Sequence, residues 1–96
     1  MLVARTAASE GHDVSVFLAG DAVQLLRPET AAATHGVGTG AFEEHLGALR
    51  EAQVPIYASG MSSKARGLNV GDAGAEPAQP QKLVELATAA DVTLTY

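Results

Sequence analysis

Apolar positions in this chain follow two rhythms that alternate along its length. Val14, Val16, Phe17 and Leu18, with Ser15 and Ala19, form a nearly continuous apolar run bounded by Gly20. A run so short and so rich in β-branched residues predicts a strand buried on both faces. "VPIYAS" (residues 54–59) predicts a second strand and "VTLTY" (92–96) a final one. Between the first two, Phe42, His45, Leu46, Leu49 and Ala52 recur at spacings of three and four, with Glu43, Glu44, Arg50 and Glu51 opposite. This is the pattern of an amphipathic helix over 41–52. Residues 2–10 are Ala-rich and free of Gly and Pro up to Gly11, which predicts a helix with a left-handed stop. Pro80 suits the first turn of a last helix, in which Leu83, Val84, Ala87 and Ala90 share one face.

The connectors complete the order. Asp21 is placed to cap a short helical segment, "AVQLLR", closed by Pro28 because a residue before proline is pushed out of the α region. The glycine-rich stretch 28–40 reads mostly as loop with a turn of helix, "MSSKARG" as a short helix, and 68–80 as a connector with room for a weak edge strand. Strand and helix patterns alternate with no internal repeat and no linker. The expectation is a single α/β domain over residues 1–96, with a mainly parallel sheet and helices on both faces. Domains of this kind usually begin with a strand, whereas here Met1 stands at the start of a helix. The expectation is therefore that a first strand is missing from this chain and that the native protein begins upstream of Met1.

Composition narrows the function classes. The 96 residues contain no cysteine, which excludes disulfides, thiolate metal sites and cysteine chemistry within this chain. A net charge of -5, with only 6 basic residues and no cluster among them, disfavours direct nucleic-acid binding. No apolar run approaches the roughly 18 residues that span a bilayer, so no membrane association and a cytoplasmic location are expected.

Candidate chemistry gathers at two strand-to-helix turns, "LAGDAVQ" and "YASGMSS". In an open parallel sheet ligands bind beyond the carboxyl ends of the strands, where turns present backbone N–H groups. With the two strands parallel, Gly20 and Asp21 share an edge with Ser59, Gly60 and Ser62. Gly60 permits close backbone approach, Ser62 is placed to cap the helix, and Arg66 lies one turn further along the same face. One reading is a small anion pocket; the plainer one is two caps, a tight turn and solvated charges. "SGMSSK" is neither G-x-S-x-G nor S-x-x-K, and "HGVGTG" lacks the order and the preceding strand of a dinucleotide fingerprint. No catalytic residue, cofactor or metal site is predicted. His12, His35 and His45 lack ligand spacing and read as surface or structural, with His35 the hardest to set aside.

At "GHDVSVFLAGDAVQLL", "VPIYASGMSSKARGL" and "LVELATAADVTLTY" the chain resembles the DsrE/DsrF-like (YchN-type) family, which includes sulfur-relay subunits. The resemblance covers nearly the whole chain in order. It implies a three-layer α/β/α domain that assembles into trimers or hexamers. In sulfurtransferase members a cysteine just before the glycine of this corner carries a persulfide. That position is Ser59 here, while Gly60, Ser62, Arg66 and Gly67 match the pattern. A hydroxyl has no stable analogue of a persulfide, so the carrier is lost and the replacement argues against an enzyme.

The resemblance thus implies a non-catalytic oligomeric protein. It would bind a small anionic ligand through Ser59, Gly60, Ser62, Arg66 and Gly67 with Asp21 at the rim, or serve as a partner subunit of other DsrE-like chains. The alternative is a sulfur-relay subunit that uses a partner's cysteine.

Overall fold

The computed structural model of the protein describes residues 1–36 and 40–94. Helix α1 (Leu2–Ser9) leads into strand β1 (Val16–Leu18). A 3-10 segment, Gly20–Leu26, follows, and then α2 (Pro28–Ala33). Two short strands, β2 (His35–Gly36) and β3 (Gly40–Ala41), pair antiparallel ahead of α3 (Phe42–Glu51). The chain continues through β4 (Ile56–Ser59), α4 (Gly60–Ala65), a 3-10 turn at Val70–Ala73, β5 (Glu76–Ala78) and α5 (Pro80–Ala89).

The main sheet has three strands in the order β1-β4-β5, all parallel, with helices flanking it. This is the mixed α/β architecture that the alternation of patterns predicts. Side chains alternate across a strand, so Ile56 and Ala58 point to one face and are buried, and Tyr57 points to the other and is half-buried. The core lies on the first face. There Leu18, Ile56 and Ala58 meet Val23, Leu26, Ala31, Phe42, Leu46, Val70 and Ala75.

Helix α3 forms as its spacing predicts, with Phe42, His45, Leu46 and Leu49 buried. Arg5 Nη1 lies 3.4 Å from His45 Nδ1, tying α1 to α3. The end of α3 is unusual. Val54 N–H donates to Leu49 O and Gln53 N–H to Arg50 O, a Schellman pattern, yet the left-handed position at φ 58° is held by Gln53 instead of glycine.

Four expectations need correction. First, residues 28–40 are more ordered than a loop: Pro28 starts α2, and His35 pairs with Ala41 in the small antiparallel ladder; residues 37–39 lie outside the described part. Second, β1 is not fully buried on both faces: Leu18 is, but Val16 and Phe17 are half-exposed. Third, residues 92–94 of the expected last strand form no strand, and residues 95–96 lie outside the described part. Fourth, Leu83, Val84 and Ala87 do share a face of α5, but it is exposed, and the half-buried residues of this helix include Lys82 and Leu86. The Lys82 ammonium sits 4.9 Å from the centre of the Tyr57 ring, a cation–π contact that holds this side of α5 to the sheet.

Candidate functional site

Parallel register places the two predicted turns side by side. Val16, Phe17 and Leu18 stand opposite Ile56, Tyr57 and Ala58, so β1 and β4 end level, and Gly20–Asp21 emerges next to Ser59–Gly60. Ser59 leaves the strand at φ -55° and ψ 120° and caps α4: its hydroxyl oxygen accepts from Ser62 N–H at 3.2 Å. One residue on, the Ser63 hydroxyl donates to Ser59 O at 2.8 Å and is buried.

The corner is then cross-tied to the β1 turn. Gly20 N–H donates to Ser62 Oγ at 3.0 Å. Arg66 donates to Asp21 Oδ1 from Nε at 3.1 Å and from Nη2 at 2.8 Å, and from Nη1 to Ser62 O at 3.1 Å. Arg27 reaches in from the end of the 3-10 segment, donating through Nη2 to Arg66 O and through Nε to Gln24 Oε1.

Five of the six predicted residues, Asp21, Ser59, Gly60, Ser62 and Arg66, therefore come together, but two have roles other than those expected. The helix cap is Ser59, not Ser62, because Ser62 lies inside the first turn and its own N–H is the group that needs an acceptor. Asp21 does not cap the segment after it. The cap position there is Ala19, with no side-chain hydrogen bond, and the Asp21 carboxylate has turned to Arg66. Gly67 stands apart at the other end of α4. At φ 66° it is the left-handed residue of a second Schellman pattern, with Gly67 N–H on Lys64 O and Leu68 N–H on Ser63 O.

The electrostatics follow. The Arg66 guanidinium, the one cation aimed at the corner by the sequence, is already paired with Asp21. The Arg66 side chain is 27% exposed and that of Asp21 94%. A pair open to water on one side contributes at most about 1 kcal/mol, and its main effect here is to cancel the positive charge that an anion would need. The Ser59 hydroxyl accepts from a backbone N–H, and among the described residues no histidine or lysine is hydrogen-bonded to it. No cluster of three or more metal-ligating side chains occurs among the described residues.

Two open depressions flank Gly60. One, of about 330 Å³, is mainly apolar and is bordered by Ser63, Lys64, Gly67, Leu68 and Asn69. The other, of about 300 Å³, lies against Met61, Ala78, Gln79 and Pro80. The sequence reading missed Arg27, Gln24 and Ser63. The chain carries no local signal for the first two beyond their place just before Pro28, and Ser63 is betrayed only by its position one turn after the cap.

No helix among the described residues is long and apolar enough to cross a membrane. No curated protein matches the chain, and no solved structure does. The family comparison is positive: the model of the DsrE/DsrF-like family matches residues 1–96, the whole length over which the parallel sheet and the Ser59 corner are laid out, and the chain belongs to that family.

Proposed function

We propose that this chain is a non-catalytic, cytoplasmic subunit of an oligomeric DsrE-like assembly, with no covalent sulfur transfer of its own. The observation that carries the reading is at position 59. Where the resemblance puts a persulfide-bearing cysteine there is a serine whose hydroxyl is used as a helix cap, and none of the 96 residues is a cysteine. The neighbouring polar groups support the same reading, because Ser62, Arg66 and Asp21 are bonded to one another and to Gly20. The corner serves to join β1 to β4. Two measurements test this together. Light scattering should give a mass above one protomer, and intact-mass analysis after treatment with a persulfide donor should show no added sulfur. A monomer, or a sulfur-bearing chain, overturns the proposal.

A second reading has one observation behind it. The depression beside α4 carries Ser63, Lys64 and Asn69 on a mainly apolar rim, which suits a small ligand with an apolar body and one anionic group. Gly60 and Gly67 border it, whereas Arg66 and Asp21 do not. Titration with small aliphatic carboxylates, followed by amide shifts, separates the readings. Shifts at Lys64, Gly67 and Asn69 that vanish in Lys64→Ala favour the ligand, and their absence removes it.

A further inference from the structure

Helix α1 is held to the rest of the chain by little. None of its eight residues is buried, its cap position, Met1, makes no side-chain hydrogen bond, and Leu2 and Val3 are exposed. A helix of this length is marginal in water, so α1 keeps its shape through its packing on α3. Gly11, at φ 87°, and residues 12–15, which form no regular structure, follow it and give the backbone a place to turn before β1.

At the contact between the two helices stands a buried histidine. His45 is 6% exposed, whereas His12 and His35 are exposed. An arginine side chain offers only donors, so His45 Nδ1, 3.4 Å from Arg5 Nη1, is the acceptor and the ring proton is on Nε2. Docked α1 therefore fits the neutral imidazole. A second proton would go to Nδ1, where it removes the bond to Arg5 and sets two positive charges against each other at a buried ring.

The other charges around this contact divide by whether they move with α1. Glu43 and Glu44 belong to α3 itself and are exposed. Glu44 Oε2 and His45 Nε2 lie 3.6 and 3.9 Å from the point that a Cβ on Gly40 would occupy, so this carboxylate is on the Nε2 side of the ring. It attracts an imidazolium, but it does so equally with α1 docked or released. Helix α2 brings Glu29 and β2 brings His35, both exposed; β3 has no ionisable side chain, and neither has the Val-Gly-Thr sequence of 37–39. From α1 come Arg5, the Met1 amino group one turn before it, and Glu10 past its far end. The charge that docking brings to the ring is thus the positive one of Arg5.

We propose that His45 is an acid-sensitive latch, which holds α1 when neutral and releases it when protonated, uncovering the side of α3 on which α1 packs. The docked state excludes one proton. Docking is then strongest above the range in which imidazole titrates and weakens as pH falls through it, by at most about tenfold per pH unit for a single proton.

The test uses His12→Gln with His35→Gln, two exposed changes that leave His45 the one histidine in the chain. In this background the amide shifts of Ala4, Ala7 and Ala8, half-buried on α1, should move toward unstructured values between about pH 8 and pH 5, in step with the His45 ring signal. Adding Arg5→Gln, at an exposed position, should leave α1 docked at pH 8 and weaken the response several-fold, and adding His45→Gln should abolish it. Shifts that stay flat across this range, or a response of unchanged size in Arg5→Gln or in His45→Gln, overturn the proposal.

Discussion

Replacing Ser59 with cysteine should give a thiol of lowered pKa, even though the natural chain has no sulfur there. The side chain at 59 is the N-cap of α4 and accepts from Ser62 N–H at 3.2 Å. A thiolate in that place gains a hydrogen bond to a charged group, about 1.5–3 kcal/mol. At about 1.36 kcal/mol per unit, this lowers the pKa by roughly one to two units from the ordinary value of about 8.5. The helix end adds only about 0.3 kcal/mol, because α4 has just six residues. Half-burial of position 59 opposes both terms, and Arg66 adds little because Asp21 neutralises it. The expected midpoint is about 7. The rate of iodoacetamide alkylation of Ser59→Cys, followed against pH by intact mass, reads it directly: the rate should rise with pH and level off above the midpoint. Removing Asp21 in the same background frees the Arg66 charge and should move the midpoint lower. With a persulfide donor the thiolate should take the donor's terminal sulfur, the donor leaving as a thiolate. A midpoint at or above about 8.5 would refute the argument that the Ser62 N–H stabilises a charged acceptor at position 59.

The Asp21–Arg66 pair should show a coupling below about 1 kcal/mol in a double-mutant cycle followed by urea unfolding at fixed protein concentration; a coupling above about 2 kcal/mol would contradict its exposure. Arg66→Ala alone should cost about 1–2 kcal/mol, more than Asp21→Ala, because it also releases Ser62 O. Leu49→Ala should cost about 2–5 kcal/mol, since Leu49 is fully buried, and a loss under about 1 kcal/mol would place that side chain elsewhere. Gln53→Gly should raise stability by about 1 kcal/mol by relieving the left-handed backbone at φ 58°, visible as a higher thermal midpoint.

The sequence discloses the parts of this fold that depend on local rhythm. β4 and α3 each carry a run long and pure enough to state its own period, and they appear where the pattern puts them. The shared edge of the two turns was also legible, because parallel strands with level register leave no other place for Gly20 and Ser59. What escaped depends on competition between neighbours. Ser59, Ser62 and Asp21 all have the chemistry of a cap, and the order of residues does not say that the first is the cap, the second an acceptor for Gly20, and the third a counter-ion for Arg66. The same holds for α5. Periodicity says which residues share a face, and only the packed sheet says which way that face points.

The corner and α5 depart from expectation in opposite ways. A corner that holds a reactive or bound group must leave donors unsatisfied until that group arrives. Here Gly20 N–H, Ser62 N–H and the Arg66 guanidinium have all found partners within the chain. The donors that would have met a ligand now fasten the 3-10 segment and α4 to each other across the ends of β1 and β4. A corner joined in this way is better suited to hold two elements together than to admit a substrate. The apolar side chains left in water lie elsewhere, among them Leu83 and Val84 on α5 and Val92 and Leu94 after it. Freeing one of these donors should be visible by experiment: in Asp21→Ala the released Arg66 should give the chain a measurable affinity for inorganic sulfate without changing its state of association. If instead Asp21→Ala changes the state of association, the corner takes part in assembly, and its reading as an internal tie is wrong.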